Sequence, residues 1–249
     1  LIKEQDIHII PADMDQEDVA HIFQDNNMTS APVVDSNNRL IGVITFDDIH
    51  DVINEEAQED ILRLAGVSIS GSDMYRDILN TTKSRFSWLS INLLTAILAS
   101  LVIGMFDATI QQIVALAVLM PIVASMGGNA GTQTMTITVR ALATRALSRT
   151  NMMRMIGKET LVGLLNGIAF AVIISVVTFF WFQQPLLASV IGIAMVINMI
   201  TAGLFGIAIP IILDKIGIDP ALASAVFLTT VTDVVGFFAF LGLAAAFMM

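Results

Sequence analysis

The sequence predicts a mixed fold, a small partial α/β module followed by an α-helical membrane domain of five transmembrane helices. Three observations carry this prediction. Hydrophobic residues make up 55% of the 249, and the mean hydropathy of +0.79 is too high for an ordinary soluble domain. Charge is split along the chain: residues 1–80 hold 17 acidic against 4 basic side chains, and residues 81–249 hold 5 against 8. Every apolar run long enough to cross a bilayer begins after residue 84. The absence of cysteine excludes disulfides and thiolate metal sites. The acidic balance speaks against nucleic acid as a partner, because phosphate binding needs Lys and Arg, and it suits cations. The chain opens on "LIKEQDIHIIPAD", with Leu first and no basic start leading into an apolar core. It therefore reads as beginning inside a longer protein, without a signal peptide.

The module occupies residues 1–65. "DMDQEDVAHIFQDNN" (13–27) reads as a helix with Ala20, Ile22 and Phe23 on its apolar side. "SAPVVD" (30–35) and "RLIGVIT" (39–45) read as strands joined by the polar turn "SNN". "FDDIHDVINEEAQEDILRLAG" (46–66) reads as a long helix ending at Gly66. On "APVVD", "RLIGVIT" and "FDDI" the module resembles a CBS domain, which normally works in tandem pairs. That resemblance implies adenosine-nucleotide contact through Thr45 and Asp47, with ATP as the ligand. Capping of the next helix by Asp47 is the competing role. The same helix places Asp48, Asp51, Glu55 and Glu59 on one face, where like charges repel unless cations neutralise them. Residues 66–85 read as a connecting amphipathic helix, with Met74, Ile78 and Leu79 as its stripe.

The membrane domain, 86–249, holds spans at 86–106, 110–126, 160–182 and 186–213, and a last one from Ala221 to Met249. Arg76, Lys83 and Arg85 precede the first span. Arg140, Arg145, Arg149, Arg154 and Lys158 lie between the second and third, and Lys215 between the fourth and fifth. All fall on one side, which predicts a cytoplasmic N-terminus and an outside C-terminus in the cell (inner) membrane. Trp88 and Trp181 sit near span ends, where interfacial anchors belong.

Two polar features stand out inside this domain. In "MPIVASMGGNAGTQTMTITVRALATRAL" (120–147), Pro121, Gly127, Gly128 and Gly131 are expected to interrupt the helix, beside the polar Ser125, Asn129, Thr132, Gln133 and Thr134. A cytoplasmic turn and a pore mouth lined by carbonyls and amides both fit. In "VFLTTVTDVVGFF" an acid, Asp233, lies about 20 Å along a helix that starts at Pro220, which Asp219 is placed to cap. Thr229, Thr230 and Gly236 share its strip, and Thr229 is a candidate partner. No Lys, Arg or His lies in any span to pair with it. An acid at that depth costs about 2.5–3.5 kcal/mol, which favours an ion path over a structural carboxyl.

On "PIVASMGGNAGTQT" with its basic loop, and on "DPALASAVFLTTVTDVVGFF", essentially the whole chain resembles the MgtE family of magnesium channels. The resemblance implies a homodimer with a pore between protomers, lined by the second and fifth spans. Its pore aspartate falls on Asp233. Thr229, Thr230, Gly236, Gly127, Gly128, Asn129, Gly131 and Gln133 would line the path. Its magnesium-sensing acids fall on Asp15, Glu17, Asp48, Asp51, Glu56, Glu59 and Asp60, with Asp219 as a further acid facing the cytoplasm. Relatives carry an acidic helical domain and a first CBS copy upstream, and some have Asn-Pro or Gly-Pro where this chain has Ala225-Val226. The expected function is Mg2+ entry down its electrochemical gradient, gated by cytosolic Mg2+ at the acidic CBS and connector region. The alternative is a proton- or sodium-coupled divalent cation transporter with Asp233 as carrier site. An intramembrane enzyme fails on inventory, since the spans hold no His, no Cys and no second acid.

Overall fold

The computed structural model describes residues 8–67, 77–147 and 150–249. Met74 and Arg76 of the expected connector, and Arg149 of the basic loop, lie outside them. Two compact units result, residues 1–62 and 63–249.

In the first unit three strands, β1 (Ile10–Pro11), β2 (Ser30–Val34) and β3 (Leu40–Thr45), form one sheet in that order. β2 runs parallel to β1, with Ile10 opposite Val33, and antiparallel to β3, with Ala31 opposite Ile44. The sequence reading missed β1, because two residues are too few to show a period. The β2–β3 turn is fixed by Asp35, whose carboxylate accepts the N–H groups of Asn37 and Arg39 at 2.8 Å each. Helix α1 (Gln16–Asn26) starts at Asp15, whose side chain accepts the Glu17 N–H, and it ends on Asn27 in the left-handed region. Val19, Ala20 and Phe23 of α1 bury against Ile10, Ala31 and Ile49. Ile49 belongs to α2 (Phe46–Leu64). Its apolar stripe holds this acidic helix to the sheet despite the repulsion on the other face.

The second unit contains five helices long and apolar enough to cross a membrane. These are α3 (Ile78–Gly104), α5 (Ala115–Ala143), α6 (Met152–Phe182), α7 (Pro185–Lys215) and α8 (Pro220–Met248), with a short α4 (Asp107–Gln112) before α5. The expected connector and first span are thus one helix from residue 78 onward. α7 is the hub: α5, α6 and α8 all pack on it, and it is the most buried of the five. α3 packs along α8 and leaves most of its apolar surface open.

The expected break at the glycine segment is corrected here: α5 runs unbroken through Pro121, Gly127, Gly128 and Gly131. Hydrocarbon offers no water to a freed backbone group, so helix is the low-energy state even for a glycine-rich stretch. Gly127 and Gly131 serve packing instead. A Cβ on Gly127 would lie 2.2 Å from Asn198 Nδ2, and one on Gly131 3.0 Å from Leu228 Cδ1. α6 and α7 approach through Gly163, where a Cβ would meet the Met199 carbonyl oxygen at 2.6 Å, and through Gly203, where it would meet that of Glu159 at 2.7 Å.

Backbone cannot yield as a side-chain tip can, so Gly163→Ala is expected to destabilise by about 1–3 kcal/mol. Gly157→Ala, on the same helix with nothing within 4 Å, is expected to stabilise by up to about 1 kcal/mol. Thermal unfolding of the two purified variants in detergent should show shifts of opposite sign.

Candidate functional site

The membrane site is built on α5 and α8, which pack directly on one another. Along α5 the exposed positions include Ser125, Asn129, Thr132, Gln133 and Thr136, a polar stripe at helical spacing inside a spanning segment. Its hydroxyls turn back on their own helix: Thr132 donates to the Gly128 carbonyl and Thr136 to that of Thr132, each at 2.8 Å. Asn129 donates to Ser125 Oγ at 3.2 Å. Acceptor oxygens therefore remain to face outward along the stripe.

On α8, Asp233, Thr229 and Thr230 are half-buried. Thr229 is not the partner expected for Asp233. It donates to the carbonyls of Ala225 (3.0 Å) and Val226 (3.1 Å), and Thr230 donates to Val226. Among the described residues Asp233 has no hydrogen-bonding or ionic partner. Of the expected path residues, Gly127, Gly131 and Gly236 are buried in helix contacts within the chain, while Asn129 and Gln133 are exposed and Gly128 is open on one side.

At the lower numbered end of α8, both oxygens of Asp219 are engaged. Oδ1 accepts the Ala221 N–H at 2.8 Å as the helix cap, and Oδ2 pairs with Arg63. Leu64 and Trp88 pack beside this pair against Leu213 and Ala221. Gly66 lies under the Trp88 ring in the left-handed region (φ 72°). Trp88, expected as a lipid anchor, thus has a packing role as well. A cation taking an Asp219 oxygen has to displace the guanidinium or the cap.

In the first unit the predicted acids divide. Asp15, Glu17, Glu56 and Asp60 act on one another, and Gln16 ties to Glu56. Partial burial, a hydrogen bond to Glu56 and the charges of Glu56, Asp15 and Asp60 push the Glu17 carboxyl up to about 7. Asp48 is held below the ordinary carboxylate range by the Thr45 hydroxyl (2.7 Å) and the Thr45 N–H (3.0 Å). Both bonds tie Asp48, in the first turn of α2, back to Thr45 just before it. Capping thus falls to Thr45 and Asp48, not to Asp47, and the Thr45 hydroxyl expected for a nucleotide is already bonded. Asp51 is exposed, and Glu59 is partly exposed. No three acidic or histidine side chains among the described residues converge to hold a metal ion.

Sequence reasoning missed three polar residues. Glu159 is buried at the start of the third span, with Lys158 Nζ 3.4 Å away. Arg63 reaches Asp219 across 156 positions. Asn198 is fully buried in α7. A lone amide between glycines in an apolar run was the one available signal for Asn198.

Because its folded pKa lies above its ordinary 4.5, Glu17 binds its proton more tightly folded than unfolded. Its contribution to stability grows as pH falls from about 7 toward 4.5 and is lost as pH rises through 7. Replacing Glu56 by Gln removes the nearest charge and is expected to lower the Glu17 midpoint toward 4.5, read by an NMR titration of the carboxyl carbon.

Residues 120–243 match the family described as MgtE, divalent cation transporter, and residues 2–55 match the CBS domain. The chain is 36% identical over 237 residues to a protein of Thermus thermophilus named magnesium transporter MgtE, covering 94% of this chain and 52% of that one. It is 34% identical over 252 residues to the Bacillus subtilis protein of the same name, covering 98% and 55%. For the Enterococcus faecalis protein, also so named, the figures are 35% over 234 residues, 94% and 51%. The chain spans about half the length of these curated relatives. The glycine-rich α5, the acid-bearing α8 and the CBS module ahead of them all fall within these matches, and the chain belongs to the MgtE family.

Proposed function

We propose that this chain forms the path and part of the sensor of a Mg2+ channel in the cell membrane, working as a homodimer. The observation that carries the reading is Asp233, a half-buried carboxyl in mid-span without a partner among the described residues, on a helix packed against α5, whose polar stripe is exposed. Exposed amides and hydroxyls at that depth need protein or water over them. A second copy laid against the α5 and α8 faces supplies both, and encloses a path with two carboxylates facing it.

Mg2+ holds its octahedral water shell at about 2.1 Å and sheds it reluctantly. Two Asp233 carboxylates attract the hydrated ion and accept hydrogen bonds from its waters, and Asn129 and Gln133 offer further outer-shell partners. With the N-terminus cytoplasmic, as the basic loops require, an inside-negative potential drives entry by about 4.6 kcal/mol per 100 mV for a divalent ion. Cytosolic Mg2+ regulates flow through the acids of the first unit. Empty, they repel, and that repulsion adds to burial in raising the Glu17 pKa. Loaded, they share cations, which biases a two-state gate toward closure.

Replacing Asp233 by Ala is expected to abolish Mg2+ entry into proteoliposomes while leaving the dimer and its unfolding temperature near those of the unsubstituted protein. Near-normal entry would sink the assignment. Flux that follows a proton or sodium gradient at fixed stoichiometry, rather than the membrane potential, would favour a coupled carrier. Neutralising Asp15, Glu17, Glu56 and Asp60 together is expected to raise the internal Mg2+ needed for half inhibition by tenfold or more. Unchanged inhibition would remove the sensor role.

A further inference from the structure

Asn198 lies in the middle of α7 and is fully buried. Its Nδ2 donates to the Val123 carbonyl of α5 at 2.8 Å. A Cβ on Gly127 of α5 would fall 2.2 Å from that nitrogen, and one on Gly236 of α8 2.7 Å from it. Two glycines on two different helices therefore leave room for one amide. Asn198 Oδ1 is buried and has no hydrogen-bond partner among the described residues.

As helix glue this arrangement is poor. An unpaired buried acceptor costs more than one interhelical hydrogen bond returns in a membrane. Leucine has nearly the same shape without the acceptor. Val123 O, within α5, keeps its place as acceptor for the helical N–H four residues on. Stability alone would favour leucine. The chain instead keeps an amide at the junction of the hub with the two helices that carry the polar stripe and Asp233. Gly236 is one turn beyond Asp233 on nearly the same side of α8.

We propose that Asn198 is a positioning residue for ion passage, an amide wedge that sets the spacing of α5 from α8 and with it the aperture at Asp233. This rests on the reading of Asp233 as the pore acid and adds a determinant of selectivity to it. Any change in the wedge moves two helices together in each protomer. Selectivity between Mg2+ and the larger Ca2+ is then expected to change, as well as rate.

The test is Asn198→Leu in the full chain, reconstituted in proteoliposomes, with Mg2+ and Ca2+ entry measured per folded dimer beside thermal unfolding. The expected result is an unfolding temperature equal to or above that of the unsubstituted protein. Mg2+ entry should fall about tenfold and the Mg2+ to Ca2+ ratio should change. Unchanged entry and ratio would overturn the proposal, as would a loss of entry that merely tracks a loss of folded protein. Gly236→Ala keeps the amide but crowds it, and it stands in should the leucine variant not fold. A changed ratio supports the proposal and an unchanged one overturns it. Because the unsubstituted protein and Asp233→Ala are run alongside, failure here is separable from failure of the pore assignment.

Discussion

A polar group inside hydrocarbon needs a partner, and the second unit is organised around that requirement. It makes α5 continuous where its composition argues for a break. It turns the hydroxyls of Thr132, Thr136, Thr229 and Thr230 back onto their own helices. Among the described residues it also makes the Asp233 carboxyl conspicuous, together with the buried oxygens of Asn198, Thr178 and Ser224, none of which has a hydrogen-bond partner. Membrane helices bury little water-exposed area against each other, so close contact at small residues takes the place of a hydrophobic core. The tight approaches at Gly163, Gly203 and Gly127 all converge on α7 or on helices packed against it.

The first unit obeys the opposite logic. Its acids stay in or near water, so they are not forbidden, only crowded. Partial burial, with the neighbouring acids after it, raises the Glu17 pKa, so the protonated form is favoured there. Asp48, in α2, has its charge already satisfied by Thr45. Two acids of the unit thus do different work, Asp48 at the start of α2 and Glu17 within an acidic cluster. Asp219 is a third case, with one oxygen capping α8 and the other facing Arg63.

Much of this was legible in the residues. Five apolar runs gave five spans, and strand alternation around "SNN" gave β2, β3 and their turn. The "Thr-x-x-Asp-x-x-Gly" strip singled out Asp233, which the structure leaves half-buried without a partner among the described residues. Other features were hidden for physical reasons. Hydropathy cannot rank helices by burial, so α7 looked like its neighbours, although Gly192, Ala194, Ala202, Gly203 and Gly206 are the small residues a hub needs. Gly127 and Gly131, which read as breaks, were contact points, because helix propensity measured in water loses weight where water is absent. Capping by Asp48 rather than Asp47 turned on a single position. Pairing across 156 residues, as between Arg63 and Asp219, leaves no local signature.

The central claim is that the polar faces of α5 and α8 meet water and ions rather than lipid. The chain contains no cysteine, so single cysteines can be placed without background. A membrane-impermeant thiol reagent should modify cysteines at positions 125, 129 and 133, block Mg2+ entry on doing so, and be slowed by Mg2+. Cysteines at the exposed apolar positions Val172, Val176 and Phe180 of α6 should not react. Unreactive cysteines at 129 and 133 in a protein that still conducts Mg2+ would contradict the account.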